Sequence, residues 1–207
     1  MARARIKAII FDIGGVLHPI HKLSTEADVK KALAGSQASK EEIDSTYLDC
    51  IRKLGRGEIT EEGFWNDLCS TLGVEAPKDH GEILRKRLRE DIIPFTKTFD
   101  LINRLKGKGY KVYALSNTIL PHSEVIEKRG WYGLFEKAFL SHETGLRKPD
   151  LAVYKHVLSE LGIKPEESIF IDDLEENLVP ARSLGMRAVL AESPEQIAQD
   201  IDALISE

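Results

Sequence analysis

Asp12 stands at the end of the apolar run Ile9-Ile10-Phe11, just ahead of the pair Gly14-Gly15. A carboxylate at such a point is held on a rigid strand end, at the edge of a sheet where open α/β folds bind their ligands. The two glycines let the backbone turn sharply and approach a ligand, since neither carries a Cβ. The same residues admit a plainer reading, in which Asp12 caps a turn after a core strand. Three more clusters follow. Leu115-Ser116-Asn117-Thr118 offers hydroxyl, amide and backbone N–H groups to a ligand oxygen. Gly145 to Asp150 sets Lys148 directly before Pro149, a proline suited to the first turn of a helix. Phe170-Ile171-Asp172-Asp173 ends in two acids, with Asn177 one helical turn beyond. Taken singly, Ser116 and Thr118 read as turn formers, Lys148 as a solvated charge, and Asp172 and Asp173 as helix caps. All four clusters falling at strand ends or loops on one edge point to a single ligand site.

The elements that must position these residues show in the rhythm of the chain. Arg5 to Phe11 reads as a strand buried on both faces, as in the middle of a parallel sheet. Helical signals then take over. Ser39 with Glu42 is a capping box, and Ile43, Tyr47, Ile51 and Leu54 follow at helical spacing up to Gly55. Thr60 caps a second helix with Glu61 and Glu62 in its first turn, an apolar face of Phe64, Trp65, Leu68 and Leu72, and Gly73 after it. The helical spacing of Phe64 and Trp65 fits core packing better than a substrate pocket. A third helix is predicted from near Asp79 to Glu90.

From Ile92 helix and strand alternate. The predicted strands are 111–115, 138–140, 168–171 and 187–190, and the predicted helices are 98–106, from 121, 149–161, 174–184 and from 194. Pro180 inside the fourth of these helices predicts a kink or a later start. About five strands joined by helices give an α/β fold, a parallel sheet with helices on both faces and right-handed crossovers. Residues 17–91 are the inserted helical subdomain, and 1–16 with 92–207 form the core around it.

Bulk properties set limits on partners. The 207 residues suffice for one core with a smaller insertion. No segment has the ~18 to 20 apolar residues that span a bilayer, and the basic start ends too soon in Asp12 for a signal peptide. Cys50 and Cys69 make no metal-ligand pair and read as buried reduced thiols, which points to a cytoplasmic setting. With 34 acids against 29 bases and no basic block, nucleic acid is not an expected partner, nor is a membrane.

The four clusters, in this order and with the helical insertion directly after the first, resemble the haloacid dehalogenase-like superfamily of hydrolases. The resemblance spans nearly the whole chain, and 133–188 matches almost continuously. It implies a Rossmann-like core under a mobile cap, and the activity of a Mg²⁺-dependent phosphohydrolase on a small phosphorylated metabolite. Asp12 matches the nucleophile that forms an aspartyl-phosphate. Mg²⁺ would be held by Asp12, the Gly14 carbonyl and an acid of the fourth motif, with Asp173 favoured as ligand and Asp172 supporting it. Lys148 matches the ammonium that pairs with nucleophile and phosphate, and Ser116, with Asn117 beside it, the hydroxyl that donates to the transferring group.

One departure stands out. Phosphatases of this family usually carry a second aspartate two residues after the nucleophile, as general acid and base, and here that position is Gly14. Such a loss typically costs ~10² to 10⁴ in rate, so good leaving groups such as anomeric or acyl phosphates are favoured. His18 or His21 is a candidate substitute, although a lone histidine near a loop is more often merely solvated. Two alternatives follow: a haloacid dehalogenase or other non-ester hydrolase, and a catalytically weak protein that binds a phosphorylated ligand.

Overall fold

The computed structural model describes residues 4–19, 24–90 and 92–206. Five strands, β1 (Ala8–Phe11), β2 (Lys111–Ser116), β3 (Ala138–Leu140), β4 (Ser168–Asp172) and β5 (Arg187–Leu190), form one sheet in the order β3-β2-β1-β4-β5. Every pairing is parallel. β1 lies at the centre and all four of its residues are buried. That is why its sequence is continuously apolar rather than alternating.

Ten helices complete the described residues: α1 (Ser24–Ala32), α2 (Lys40–Gly55), α3 (Glu61–Leu72), α4 (His80–Glu90), α5 (Thr96–Gly107), α6 (Leu120–Lys128), α7 (Ser141–Thr144), α8 (Leu151–Leu161), α9 (Glu175–Leu184) and α10 (Pro194–Ser206). The pleat sorts the strand side chains between two cores. Ile9, Phe11, Val112, Ala114, Ile169 and Ile171 face α5 and α10 through Leu101, Ile102, Leu105, Ile197 and Ile201. Ala8, Ile10, Tyr113, Leu115 and Phe170 face α8 and α9 through Val153, Tyr154, Val157, Leu158 and Leu178. The α/β, Rossmann-like fold is therefore present, with helices on both faces of the sheet.

Helices α1 to α4 build a separate cluster from Val29, Leu33, Tyr47, Leu54, Leu68 and Leu84, among others. Phe64 and Trp65 are fully buried within it, so their helical spacing marks packing. Cys50 and Cys69 are buried free thiols of the same cluster. One detail differs from expectation. α1 has no counterpart in the sequence reading, because its anchor Val29 and the following Leu33 are two buried residues in an otherwise polar segment. α9 begins at Glu175 and continues through Pro180. No helix among the described residues is long and apolar enough to cross a membrane.

Candidate active site

The sheet register determines which side chains can meet. Phe11 pairs with Ala114 on one side and Ile171 on the other, so the next residues, Asp12, Leu115 and Asp172, emerge side by side at the carboxyl edge. The Asp12 N–H donates to the Ile171 carbonyl at 2.8 Å, which extends the ladder by one residue. By the period-two alternation, Asp12 and Asp172 share the face covered by α8 and α9. Lys148 comes from the loop just before α8 and enters on that same face. Its Nζ lies 2.8 Å from Asp12 Oδ1 and 2.7 Å from Asp172 Oδ2, with all three residues buried.

Each member is held by further bonds. Asp172 Oδ1 accepts from the Leu174 N–H and from Asn177 Nδ2, both at 2.9 Å, so its carboxylate is committed to positioning. Asn177 is held by Tyr154, whose hydroxyl donates to the Asn177 carbonyl at 2.6 Å. Asn117 clamps the main chain of Lys148: its Nδ2 donates to the Lys148 carbonyl at 2.8 Å, and its Oδ1 accepts from the Lys148 N–H at 2.9 Å. The Lys148-Pro149 peptide bond is cis. Ser116 is buried at the end of β2, on the same sheet edge. Asp173 lies against the turn after β1. A Cβ on Gly15, whose φ is +73°, would overlap the Asp173 carboxylate. Gly15 is thus required twice, for its conformation and for its missing side chain.

Two carboxylates facing one ammonium in a buried site leave an excess of negative charge. Burial, and the charge of Asp172, push Asp12 up to about 7 against the pull of Lys148. Burial would push the Lys148 ammonium down, but Asp12 and Asp172 together hold it above its ordinary value. A divalent cation would relieve the excess. Carboxylate oxygens of Asp12, Asp172 and Asp173 lie within 4.8 Å of one another, a donor set that fits a hard cation preferring oxygen ligands. The set can hold a cation, keep an ionised carboxylate beside an ammonium, and offer a hydroxyl at the same rim.

His18 is buried, with Nδ1 2.9 Å from the Pro19 carbonyl and its ring against Trp131. His21 lies outside the described residues. Two supporting residues escaped the sequence reading. Ser141, which follows β3 at the same edge, donates to the Thr118 carbonyl at 3.0 Å and accepts the Thr118 N–H at 2.9 Å. Its place at a strand end was the available signal. Tyr154 carries none, because its spacing is simply that of a core residue in α8.

Comparison with known proteins identifies the family. The model of the haloacid dehalogenase-like hydrolases matches residues 6–185. The chain is 30% identical to a sesquiterpene phosphatase of Aspergillus oryzae, over 87% of each protein. It is 32% identical to a drimenol cyclase of Aspergillus calidoustus over 95% of this chain, although it spans only 36% of that protein's length. A HAD family enzyme of Bacteroides thetaiotaomicron, crystallised with magnesium and inorganic phosphate, superposes with a TM-score of 0.71 at 29% identity, covering 89% of this chain and 93% of that one. Three strand-end clusters and one loop along a single edge of a parallel sheet, and a family match over most of the length, place this chain among the haloacid dehalogenase-like hydrolases.

Proposed function

We propose that the protein is a Mg²⁺-dependent phosphohydrolase that acts on a small phosphorylated metabolite through an aspartyl-phosphate on Asp12. The observation that carries this reading is the convergence of Asp12, Asp172 and Asp173 around a space within reach of the buried Lys148 ammonium. The phosphatase named among the relatives supports it, as does the Bacteroides enzyme crystallised with magnesium and phosphate.

The roles follow from chemistry and position. Lys148 keeps Asp12 ionised and oriented, so that one carboxylate oxygen is free to attack phosphorus. A stabilised oxyanion of the substrate, such as a phenoxide, a carboxylate or an anomeric oxygen, departs as the bond from Asp12 to phosphorus forms, and water later attacks the acyl phosphate to regenerate Asp12 and release phosphate. Ser116 donates to an oxygen of the phosphoryl group in flight, and Asn117 keeps Lys148 in place. Asp12, Asp173 and the Gly14 carbonyl would hold the magnesium, whose contribution is to neutralise charge that builds on the phosphoryl oxygens. Asp172 positions Lys148 from the other side. Gly14 brings no proton to the leaving group, which selects substrates whose leaving group needs none. Residues 17–91 act as the cap over this site, with 1–16 and 92–207 as the core.

The test is release of phosphate from an aryl phosphate. It is expected with Mg²⁺, to be lost on chelation, and to fall by on the order of 10³ or more in Asp12→Asn. Turnover that ignores the chelator would move the assignment to metal-free chemistry such as dehalogenation. Silence across a broad panel of phosphomonoesters would leave a binding protein, as the missing acid at position 14 suggests.

A further inference from the structure

The C-terminal turn of α2 rests on the loop that carries Lys148. Gly57 sits so close to the His142 carbonyl that a Cβ there would overlap it. Arg56 Nη2 reaches Asp150 Oδ2 at 3.1 Å, and a Cβ on Gly55 would lie 3.9 Å from the Thr118 carbonyl. The end of α2 therefore stands on the Ser116 and Lys148 loops, at the rim where Asp12 and Asp172 emerge.

Three guanidinium groups collect there. Arg52 and Arg56 are one turn apart, the Arg56 N–H donating to the Arg52 carbonyl at 3.0 Å, and Arg147 immediately precedes Lys148. Among the described residues, Asp150 is the one acid that ion-pairs with any of the three. Three other arginines among the described residues are ion-paired: Arg85 with Glu61 and Glu124, Arg104 with Asp202, Arg182 with Glu175. Arg147 is half-buried, and its burial, followed by the charges of Arg56 and Arg52, holds its guanidinium below the ordinary arginine range. Like charges gathered in this way destabilise the rim unless an anion joins them. The Arg147 Cα lies no more than about 10 Å from Lys148 Nζ, given one Cα step and an extended lysine side chain.

We propose that Arg52, Arg56 and Arg147 bind a second phosphate group of the substrate, so that the preferred substrates carry two phosphates, as a bisphosphate ester. The proposal rests on the phosphohydrolase reading and narrows its substrate class. Guanidinium forks suit phosphate oxygens through paired hydrogen bonds.

The experiment compares kcat/KM within two substrate pairs that share a leaving group: a hexose 1-phosphate against a hexose 1,6-bisphosphate, and phenyl phosphate against 1,4-phenylene bisphosphate. Wild-type protein is expected to favour the doubly phosphorylated member of at least one pair tenfold or more. Arg52→Gln and Arg147→Gln are each expected to reduce that ratio severalfold through KM, and the double variant to abolish it. No preference in either pair overturns the proposal, as does a proportional loss on both members, which is what damage to the neighbouring Lys148 would produce. Arg52→Gln, on the exposed side of α2, guards against misfolding of the Lys148 loop. Calorimetry of the hexose bisphosphate on Asp12→Asn protein reads the arginines without turnover, with about tenfold weaker binding expected once both are replaced. Arginine-dependent binding without hydrolysis of any phosphomonoester would sink the phosphohydrolase reading alone. Aryl phosphatase activity with arginine-independent binding would sink the second-phosphate site alone.

Discussion

Lys148 is a fully buried cation, and such a charge is tolerated only when its partners share the burial. Asp12 and Asp172 meet that need, and in doing so tie the proposed nucleophile, Asp12, to the sheet edge. The weak point of the site at this scale is Gly14. It is not among the glycines with positive φ, so its backbone admits a side chain, unlike that of Gly15. Gly14→Asp is therefore expected to supply the absent proton carrier. The rate on an alkyl phosphate, whose leaving oxygen needs a proton, should rise about tenfold or more, while that on an aryl phosphate stays within a few-fold. Steady-state kinetics on the two substrates check this. An equal change on both would mean that the new carboxylate perturbs the cation site and donates no proton.

At the scale of elements, local signals and long-range contacts divide the work. The capping box of α2 is complete: Ser39 Oγ accepts the Glu42 N–H at 3.2 Å, and Glu42 Oε2 accepts the Ser39 N–H at 2.8 Å. Ser39→Ala is expected to cost about 1 kcal/mol, lowering Tm by a few degrees in a thermal melt, with kcat unaffected because the cap lies at the far end of α2 from the site. Signals of this kind were readable in advance, because they depend on residues three or four apart. So were the strands, whose apolar runs are set by burial on both faces. The strand order was not readable, since it depends on crossovers that no local pattern records. Neither was α1, which leans on Val29 and the adjoining Leu33, nor the ion pair of Glu167 with Lys7 at 2.7 Å. The candidate site residues were visible because chemistry demands particular types at strand ends. Tyr154 and the arginine cluster were hidden because their significance is a matter of which distant loop they meet.

At the scale of the molecule, helices α1 to α4 have their own apolar cluster, to which Ile119 contributes from outside them. Their junction with the sheet domain also carries polar contacts, Arg85 to Glu124 on α6 and Arg56 to Asp150. His122 of α6 sits at this junction, meeting the Leu84 backbone and feeling the charges of His18 and Arg85. Burial above all, with those two neighbouring charges, pushes it down to about 4. The folded protein therefore keeps His122 neutral where the unfolded chain, near 6.5, takes up a proton. Between those values the unfolded state binds more protons, so this contribution is complete above about pH 6.5 and is lost as pH falls toward 4, by at most on the order of 3 kcal/mol. Asp12 acts with the opposite sign, because a carboxyl raised to about 7 favours folding at low pH. Melts should thus compare wild type with His122→Gln, at saturating Mg²⁺, in steps from pH 7 to pH 4.5. The difference in Tm between the two is expected to shift in favour of the variant as pH falls. A difference that stays constant across the range would show that His122 does not take up a proton on unfolding, and that the junction is held by its ion pairs and packing alone.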